Sequence, residues 1–561
     1  MIGDEGNEVH PRRHYIAALI TAGLMGFAVG AGLGLRDWSW AWPQLSVLKI
    51  VRSGAVGWLL GLLISPAAGW LLSRRASAAA PPGSSDAHPF PRALLALALI
   101  PGVLWLPGVD RIGPLRKATA PSNRLGDRRP NLVLITIDAL RADHLGVYGN
   151  PLGLTPNLDA FAKDATRYDS AYASSPWTLT SLGALFTAGP PSQAGLKSPY
   201  PKGQSWYVGS AKLPADRTIL SEQLQRAGYA TMADVTNVFL EPQRGWDRGF
   251  DDFRNEGGVD GPKADLAYAD TLTTNGLAWL NLNWRRPFFM WTHYLDPHCP
   301  YLSPDTPKEL LTRYPSHWIA RRDRWYQGMV STPPKQQRRY QQFCREMYDE
   351  EVRYVDRWVG KLLAGLKAAG VYDNSLIVIT ADHGEELFDR GGMDHGHSMH
   401  DEVLRVPLLV KWPKGQAADK RVTQTVASAD LAGTFLELAR APDFNGKKPK
   451  ALPRNNGGPG EMVYSEATLY DLEQTALTTD RYRVIYHPTE GRFEVYDRAK
   501  GRSEMRDLAD TDAALDLRVH LKQLTQAAQA AAQANEGRTS GSIGLSEHTK
   551  DRLRALGYLG E

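Results

Sequence analysis

Cysteine is almost absent, with Cys299 and Cys344 the two present in a chain of 561 residues. A disulfide scaffold and a cysteine-rich metal site are thereby excluded, although so low a count leaves the compartment open. Net charge is slight too, +4 from 65 basic and 61 acidic residues, and no stretch forms a basic stripe or a long Arg/Lys run. A nucleic-acid partner is therefore not expected. No repeat of solenoid period is visible. What is present is ordinary for a folded protein, 43% hydrophobic, 22% charged and 9% aromatic residues. The length is too great for a single core and suits roughly two or three structural units.

Long apolar runs are confined to the N-terminal part. Residues 15–35 carry no charge and have the ~20-residue length of a bilayer-spanning helix. Residues 53–72 are similar, with Trp58 and Trp70 placed as interfacial aromatics. A third run, residues 93–109, is shorter and interrupted by Pro101 and Pro107. A cleaved signal peptide is the alternative for the first run, but the second argues against it, since a secreted protein needs no further span. Residues 1–112 are thus expected to be a membrane anchor of about two or three helices. Flanking Arg and Lys are spread too evenly to set its orientation. Residues 113–130, polar and basic, read as linker.

Beyond residue 130 the pattern changes to alternating strands and helices. Residues 131–137 (NLVLITI) and 375–380 (SLIVIT) are short apolar runs rich in β-branched residues, as in strands buried on both faces. Thr155-Pro156 combines a capping hydroxyl with proline at a first helical position. Residues 336–369 carry Phe343, Met347, Tyr354, Val355, Trp358, Val359, Leu362 and Leu366 at helical spacing. Residues 408–411 (LLVK) read as a third strand. Strand, helix, strand in this order predicts an α/β fold, a doubly wound and mostly parallel sheet flanked by helices, over residues 131–415. Residues 416–535 look like a small antiparallel subdomain, with a hairpin of 483–486 and 492–496 and an Ala/Gln-rich helix over 521–535. Residues 536–561 form a tail.

In such a sheet, sites form at the carboxyl ends of strands. Two strands here end in chemistry: Asp138 follows the first, and Asp382-His383-Gly384-Glu385 follows the second. The two could converge on one divalent cation, and oxygen ligands with one imidazole suit Mn²⁺, Zn²⁺ or Fe²⁺ better than Ca²⁺. Helix capping by Asp138 and a simple loop turn at Asp382-His383 are the alternatives.

At these residues the sequence resembles the sulfatase branch of the alkaline phosphatase superfamily. The stretch from Ile135 to Gly146, around Asp138, looks like that family's first metal motif, and Thr155-Pro156-Asn157-Leu158-Asp159 like its next helix start. Pro297-His298-Cys299-Pro300-Tyr301 matches its Pro-His-x-Pro-Tyr element, Thr380 to Glu385 its second metal motif, and Gly396-His397-Ser398 with Arg405-Val406-Pro407 its last substrate-facing segment. The resemblance implies an alkaline phosphatase-like fold and an ester hydrolase. It also implies one divalent ion (Mn, Zn, Ca or Mg) held by Asp138, Thr178, Asp382 and His383, with His298 and His397 as acid/base or substrate contacts.

Departures from the family pattern are as telling. Active sulfatases carry a Cys/Ser-x-Pro-x-Arg signature whose first residue becomes formylglycine. Aligned on Thr187, this chain has Thr178 in the nucleophile position, Thr180 for proline and Leu182 for arginine; aligned on Ser174-x-Pro176, it has Ser174 there. Threonine cannot become formylglycine, so a threonine ester has to be cleaved by incoming water or an acceptor alcohol. A metal-bound threonine resembles the phosphatase and phosphotransferase branches, including lipid-headgroup transferases. The family's Lys-x-His segment is missing; Asn237 stands near its place as a neutral substrate contact or as a simple turn residue. Losing the lysine and the arginine favours a singly charged ester. The expectations are a sulfate- or phosphate-ester hydrolase acting through Thr178, a headgroup transferase, or a membrane-tethered binding protein that has lost turnover. The substrate could be a lipid or a cell-surface glycan, and related anchored enzymes place the catalytic domain in the periplasm or outside the cell.

Overall fold

The computed structural model describes residues 129–539, apart from 197–211, 256–267, 321–331, 470–472, 501–506 and positions 302, 415, 417, 445, 447 and 513. The expected membrane anchor, the linker up to residue 128 and the tail beyond residue 539 lie outside the described residues. Among the described residues no helix is long and apolar enough to cross a membrane.

The main sheet has nine strands among the described residues. In chain order they begin with β1 (Asn131–Ile137), β2 (Thr166–Tyr172), β3 (Ala230–Val235), β4 (Asp252–Asn255), β5 (Phe288–Tyr294) and β6 (Ser375–Ala381). A separate ribbon, β7 (Glu386–Leu387) with β8 (Met393–Asp394), precedes β9 (Arg405–Val406), β10 (Leu408–Lys411) and β11 (Arg421–Ala427). The order across the sheet is β11-β2-β10-β6-β1-β5-β3-β4, with β9 beside β2. All seven residues of β1 and all seven of β6 are buried, as their unbroken apolar runs require. Both run parallel to each other, and β5 is parallel to β1.

One expected feature is different. Residues 408–411 form a strand, but β10 runs antiparallel to both β6 and β2. The reason is topological: between β6 and β10 there is no crossover helix, so the chain stays at one end of the sheet and returns in the opposite direction. The sheet is therefore mixed.

Helices α1 (Pro156–Ala162), α2 (Thr178–Thr187), α3 (Ala269–Asn283), α4 (Pro334–Ala368), α5 (Asp401–Leu404) and α6 (Asp430–Ala439) flank it. α4 contacts α1 and α3, and α2 contacts α6. The stripe read from sequence on α4 is buried from Phe343 to Leu366, while Trp358 is only partly covered, with the Lys361 ammonium 3.3 Å from its ring centre. Thr155 does not cap α1 with its hydroxyl. The Asp356 carboxylate of α4 does so instead, accepting from Asn157 N at 3.1 Å and Leu158 N at 2.8 Å. Negative charge beside a helix N-terminus serves the same end.

Toward the C-terminus, β12 (Val463–Ser465), β13 (Thr475–Thr478), β14 (Tyr482–His487) and β15 (Arg492–Asp497) form an antiparallel sheet. Its hairpin closes at His487↔Arg492, with Gly491 at φ +67° supplying the turn. Helix α7 (Leu515–Thr539) packs on β13 and β14. It begins six residues before the expected start because Arg518 ties its first turn to the carbonyls of Leu508, Ala509 and Thr511.

Candidate metal and catalytic site

Two neighbouring parallel strands, β1 and β6, deliver Asp138 and Asp382 to the same edge of the sheet. The main chain then splays apart. Ala139 adopts φ +58° directly after Asp138, and Gly384 lets the loop after β6 lie so close to α5 that a Cβ would collide with the Glu402 carbonyl. Asp382 Oδ1 accepts from Ala139 N at 3.2 Å and His383 N at 2.9 Å, which stitches the two strand ends together.

The remaining oxygens are informative. Asp138 Oδ1 and Asp382 Oδ2 are buried and have no hydrogen-bond partner. Both face the His383 ring: Nε2 is 3.5 Å from Asp138 Oδ1 and 3.4 Å from Asp382 Oδ2. His383 Nδ1 lies 2.8 Å from the Gly384 carbonyl, which fixes it as the protonated nitrogen and leaves the Nε2 lone pair directed into the cluster. Thr178 Oγ1 is 3.3 Å from the same Nε2. Ligand atoms on one tetrahedral ion with bonds of about 2.1 Å stand roughly 3.4 Å apart, and the three contacts of His383 Nε2 are of that length.

Electrostatics point the same way. Burial opposes ionisation of Asp138, yet the imidazoles of His298, His293 and His383 hold its carboxyl well below the usual range. Burial and the Asp138 charge push Asp382 up to about 7. Two unscreened carboxylates at such spacing repel, and a cation between them removes the conflict. Asp138, His293 and Asp382 also place ligand atoms within 4.8 Å of one another. His293 Nε2, however, faces the other Asp138 oxygen, Oδ2, at 3.2 Å, while its Nδ1 pairs with Thr136 Oγ1 at 2.8 Å. It braces Asp138 from behind.

Asn237 donates through Nδ2 to Asp138 Oδ2 at 2.7 Å and to Thr178 Oγ1 at 3.3 Å, with Oδ1 held by Phe239 N. Its amide is thus spent inside the cluster, linking the carboxylate to the hydroxyl. Thr178 is the first residue of α2, where the helix dipole favours negative charge on its oxygen. Ser174, the other candidate nucleophile, is buried four residues upstream with its carbonyl accepting from Glu466 N, and takes no part in the cluster's hydrogen bonds.

The histidines divide unexpectedly. His298 is buried, its ring 4.9 Å from that of His395, and burial takes it down to about 4. His395 stacks 4.2 Å from the His383 ring. Burial opposes its charge, but Asp394 and Glu385, 2.9 and 3.1 Å from Nδ1, outweigh this and hold it as an imidazolium. His397 instead points Nε2 at Glu386 Oε2, 2.8 Å away, with about a third of its side chain exposed. It is not among the groups that converge on Thr178. Sequence reasoning passed over His395 and His293: the first lies two residues from the motif histidine, and the second only one residue before the end of an apolar strand. Glu385, the last residue of the second metal motif, is fully buried against His395. Replacing His395 by alanine is accordingly expected to lower kcat/KM by about 10²–10⁴-fold, against less than about tenfold for His397→Ala. Equal losses in the two variants, measured on one aryl ester, would reverse this assignment.

Residues 130–441 match the family described as Sulfatase, and residues 389–531 match the N-sulphoglucosamine sulphohydrolase C-terminal family. A protein named uncharacterized sulfatase YidJ, from Escherichia coli, is 24% identical over 70% of this chain and 85% of its own length. An N-acetylglucosamine-6-O-sulfatase of Bacteroides thetaiotaomicron is 24% identical over 59% of this chain and 72% of its own. Among solved structures, a protein in complex with its substrate D-glucosamine-2-N,6-O-disulfate superposes with a TM-score of 0.57 at 20% identity, covering 74% of this chain and all of that one. A phosphonate monoester hydrolase from Silicibacter pomeroyi gives 0.54 at 19% identity, covering 74% and 97%.

Proposed function

Since the chain belongs to the sulfatase family of ester hydrolases, we propose that it is a metal-dependent hydrolase of singly charged sulfate or phosphate esters, with Thr178 as nucleophile and no formylglycine. The observation that carries this reading is the position of Thr178 Oγ1, at the start of α2 and 3.3 Å from both His383 Nε2 and Asn237 Nδ2. Asp138, Asp382, His383 and Thr178 would hold one divalent cation. Bound there, such an ion lowers the pKa of a neighbouring hydroxyl and draws charge from the ester oxygens.

The chain's own groups account for the remaining requirements. Asn237 orients the Thr178 oxygen, whose proton would pass to solvent before the step, for attack on sulfur or phosphorus. The His395 imidazolium, fixed by Asp394 and Glu385, supplies a proton to the departing alkoxide. Deprotonated after that step, it takes a proton from the water that cleaves the Thr178 ester. Among the described residues the cluster contains no lysine or arginine, and His395, beside Asp394 and Glu385, is raised well above the usual imidazole range. A sulfate monoester, a phosphate diester or a phosphonate monoester suits such a site better than a dianionic phosphate monoester. The relatives' named substrates, glucosamine sulfates and ulvan among them, favour a sulfated glycan. An N-terminal anchor would hold the site beside a membrane, facing the periplasm or exterior, within reach of lipid-linked or surface glycans.

Mass spectrometry of protein quenched during turnover of sulfated glycans and of lipid extract tests the reading. A sulfo or phospho group on the peptide containing Thr178 is expected. The same group on Ser174, or turnover with formylglycine at any position, overturns it.

A further inference from the structure

A second basic feature lies outside the catalytic cluster. Where β2, β9 and β11 meet the C-terminal sheet, a pocket of about 240 Å³ is lined by Arg167, Arg405, Arg421 and Arg498 with Asp169 and Asp401. Four guanidiniums face two carboxylates, and those carboxylates are already engaged. Asp169 is shared by Arg167 at 2.8 Å and Arg421 at 2.7 Å. Asp401 is paired with a further, fully buried guanidinium, Arg483, at 2.7 Å.

Among the described residues neither Arg405 nor Arg498 forms an ion pair with a carboxylate. Arg405 spends Nε and Nη2 on the Asp169 carbonyl, and Arg498 spends its two terminal nitrogens on Thr425, the Thr479 carbonyl and Ser170. Among the described residues Nη1 of Arg405, Nη2 of Arg167 and both terminal nitrogens of Arg421 make no hydrogen bond. Their heads are held in place by the Asp169 contacts, and Arg498 is further fixed over the Tyr172 ring at 4.9 Å. Cations in excess, three of them partly buried and Arg421 exposed, with unused planar N–H groups, match an oxyanion in charge and geometry.

We propose that this pocket binds a tetrahedral oxyanion, sulfate or phosphate, either free or carried as a second ester group on the substrate. Its place in the chain suits the second source. Arg405 is paired directly with Tyr172, six residues before Thr178, so an extended chain bounds the separation at roughly 20–25 Å. Within that bound one short oligosaccharide reaches both places.

Equilibrium dialysis of the Mn²⁺-loaded enzyme with labelled inorganic sulfate provides the test, and it does not depend on turnover. Wild type is expected to bind two sulfates. Arg421→Glu, a change at an exposed position of β11, should weaken one of them at least tenfold, with Arg421→Lys intermediate and melting temperatures unchanged. Absence of any sulfate site whose affinity Arg421→Glu weakens overturns the proposal. A second arm separates the sources. A KM increase of fivefold or more for a doubly sulfated disaccharide, but not for its singly sulfated counterpart, assigns the pocket to substrate; unchanged KM for both assigns it to the free anion. Because sulfate binding here is read without catalysis, loss of the Thr178 reading would leave this result standing.

Discussion

Alanine at position 178 is expected to lower kcat for an aryl sulfate or phosphate diester by at least about 10³-fold, roughly 4 kcal/mol or more of barrier. The effect is large because Thr178 Oγ1 is the one hydroxyl on which Asn237 Nδ2 and His383 Nε2 both converge, and no neighbour can replace it. The fold should tolerate the change, since alanine is a good helix former and position 178 opens α2. The cation should be retained, with weaker affinity, because Asp138, Asp382 and His383 remain. Thr178→Ser keeps the oxygen and should recover much of the rate. Rates near wild type in the alanine variant, measured with Mn²⁺ in excess, would remove Thr178 from the nucleophile's role and return attention to Ser174.

Asparagine at position 382 is expected to act in opposite directions on the two forms of the protein. In wild type, a cation at one hundred times its Kd stabilises the fold by about 2.7 kcal/mol, and chelation should abolish both that gain and the activity. Asp382→Asn should lose both even with metal present. Without metal the variant should be the more stable one near neutral pH, for a reason visible in the hydrogen bonds. The Asn carbonyl keeps the Ala139 N and His383 N contacts of Oδ1, while its amide replaces the unpartnered Oδ2 beside Asp138.

The pH dependence follows with a definite sign. Asp382 is raised in the folded metal-free protein from 3.8 to about 7, so folding takes up a proton between those values. Stability of the metal-free wild type therefore declines as pH rises from about 4 to 7, by an amount on the order of a few kcal/mol, and Asp382→Asn should flatten that slope. Chemical denaturation of chelated protein at several pH values measures it. A metal-free variant less stable than wild type at pH 7 would sink this account of the cluster.

The excess of positive charge at Arg405 and Arg498 and its shortage around Thr178 fit together in a polyanionic substrate. On the proposed function the catalytic cluster would handle one monoanionic group, and a second group would find its counter-charge elsewhere on the same molecule.

Much of this was legible in the chain alone. Unbroken β-branched runs marked β1 and β6 as strands buried on both faces, and the 3.6-residue stripe marked α4, because burial in a covered sheet or against one helix face demands those patterns. Acidic residues directly after two such strands placed Asp138 and Asp382 at the site, since strand ends in a parallel sheet share one edge. The departure at Thr178 was equally plain, because residue identity is local information. Tertiary structure alone decided what depends on partners distant in sequence. The antiparallel course of β10 followed from the lack of a crossover, and the cap of α1 came from Asp356, some two hundred residues away. Pairing of β1 with β5 sets Thr136 opposite His293, which is what turns that imidazole onto Asp138. His395 rather than His397 joined the cluster because Asp394 and Glu385 grip the one ring while Glu386 draws the other away. Residue types and spacing thus determined which chemistry the chain carries, and three-dimensional pairing of charges and hydrogen bonds decided which side chains can perform it.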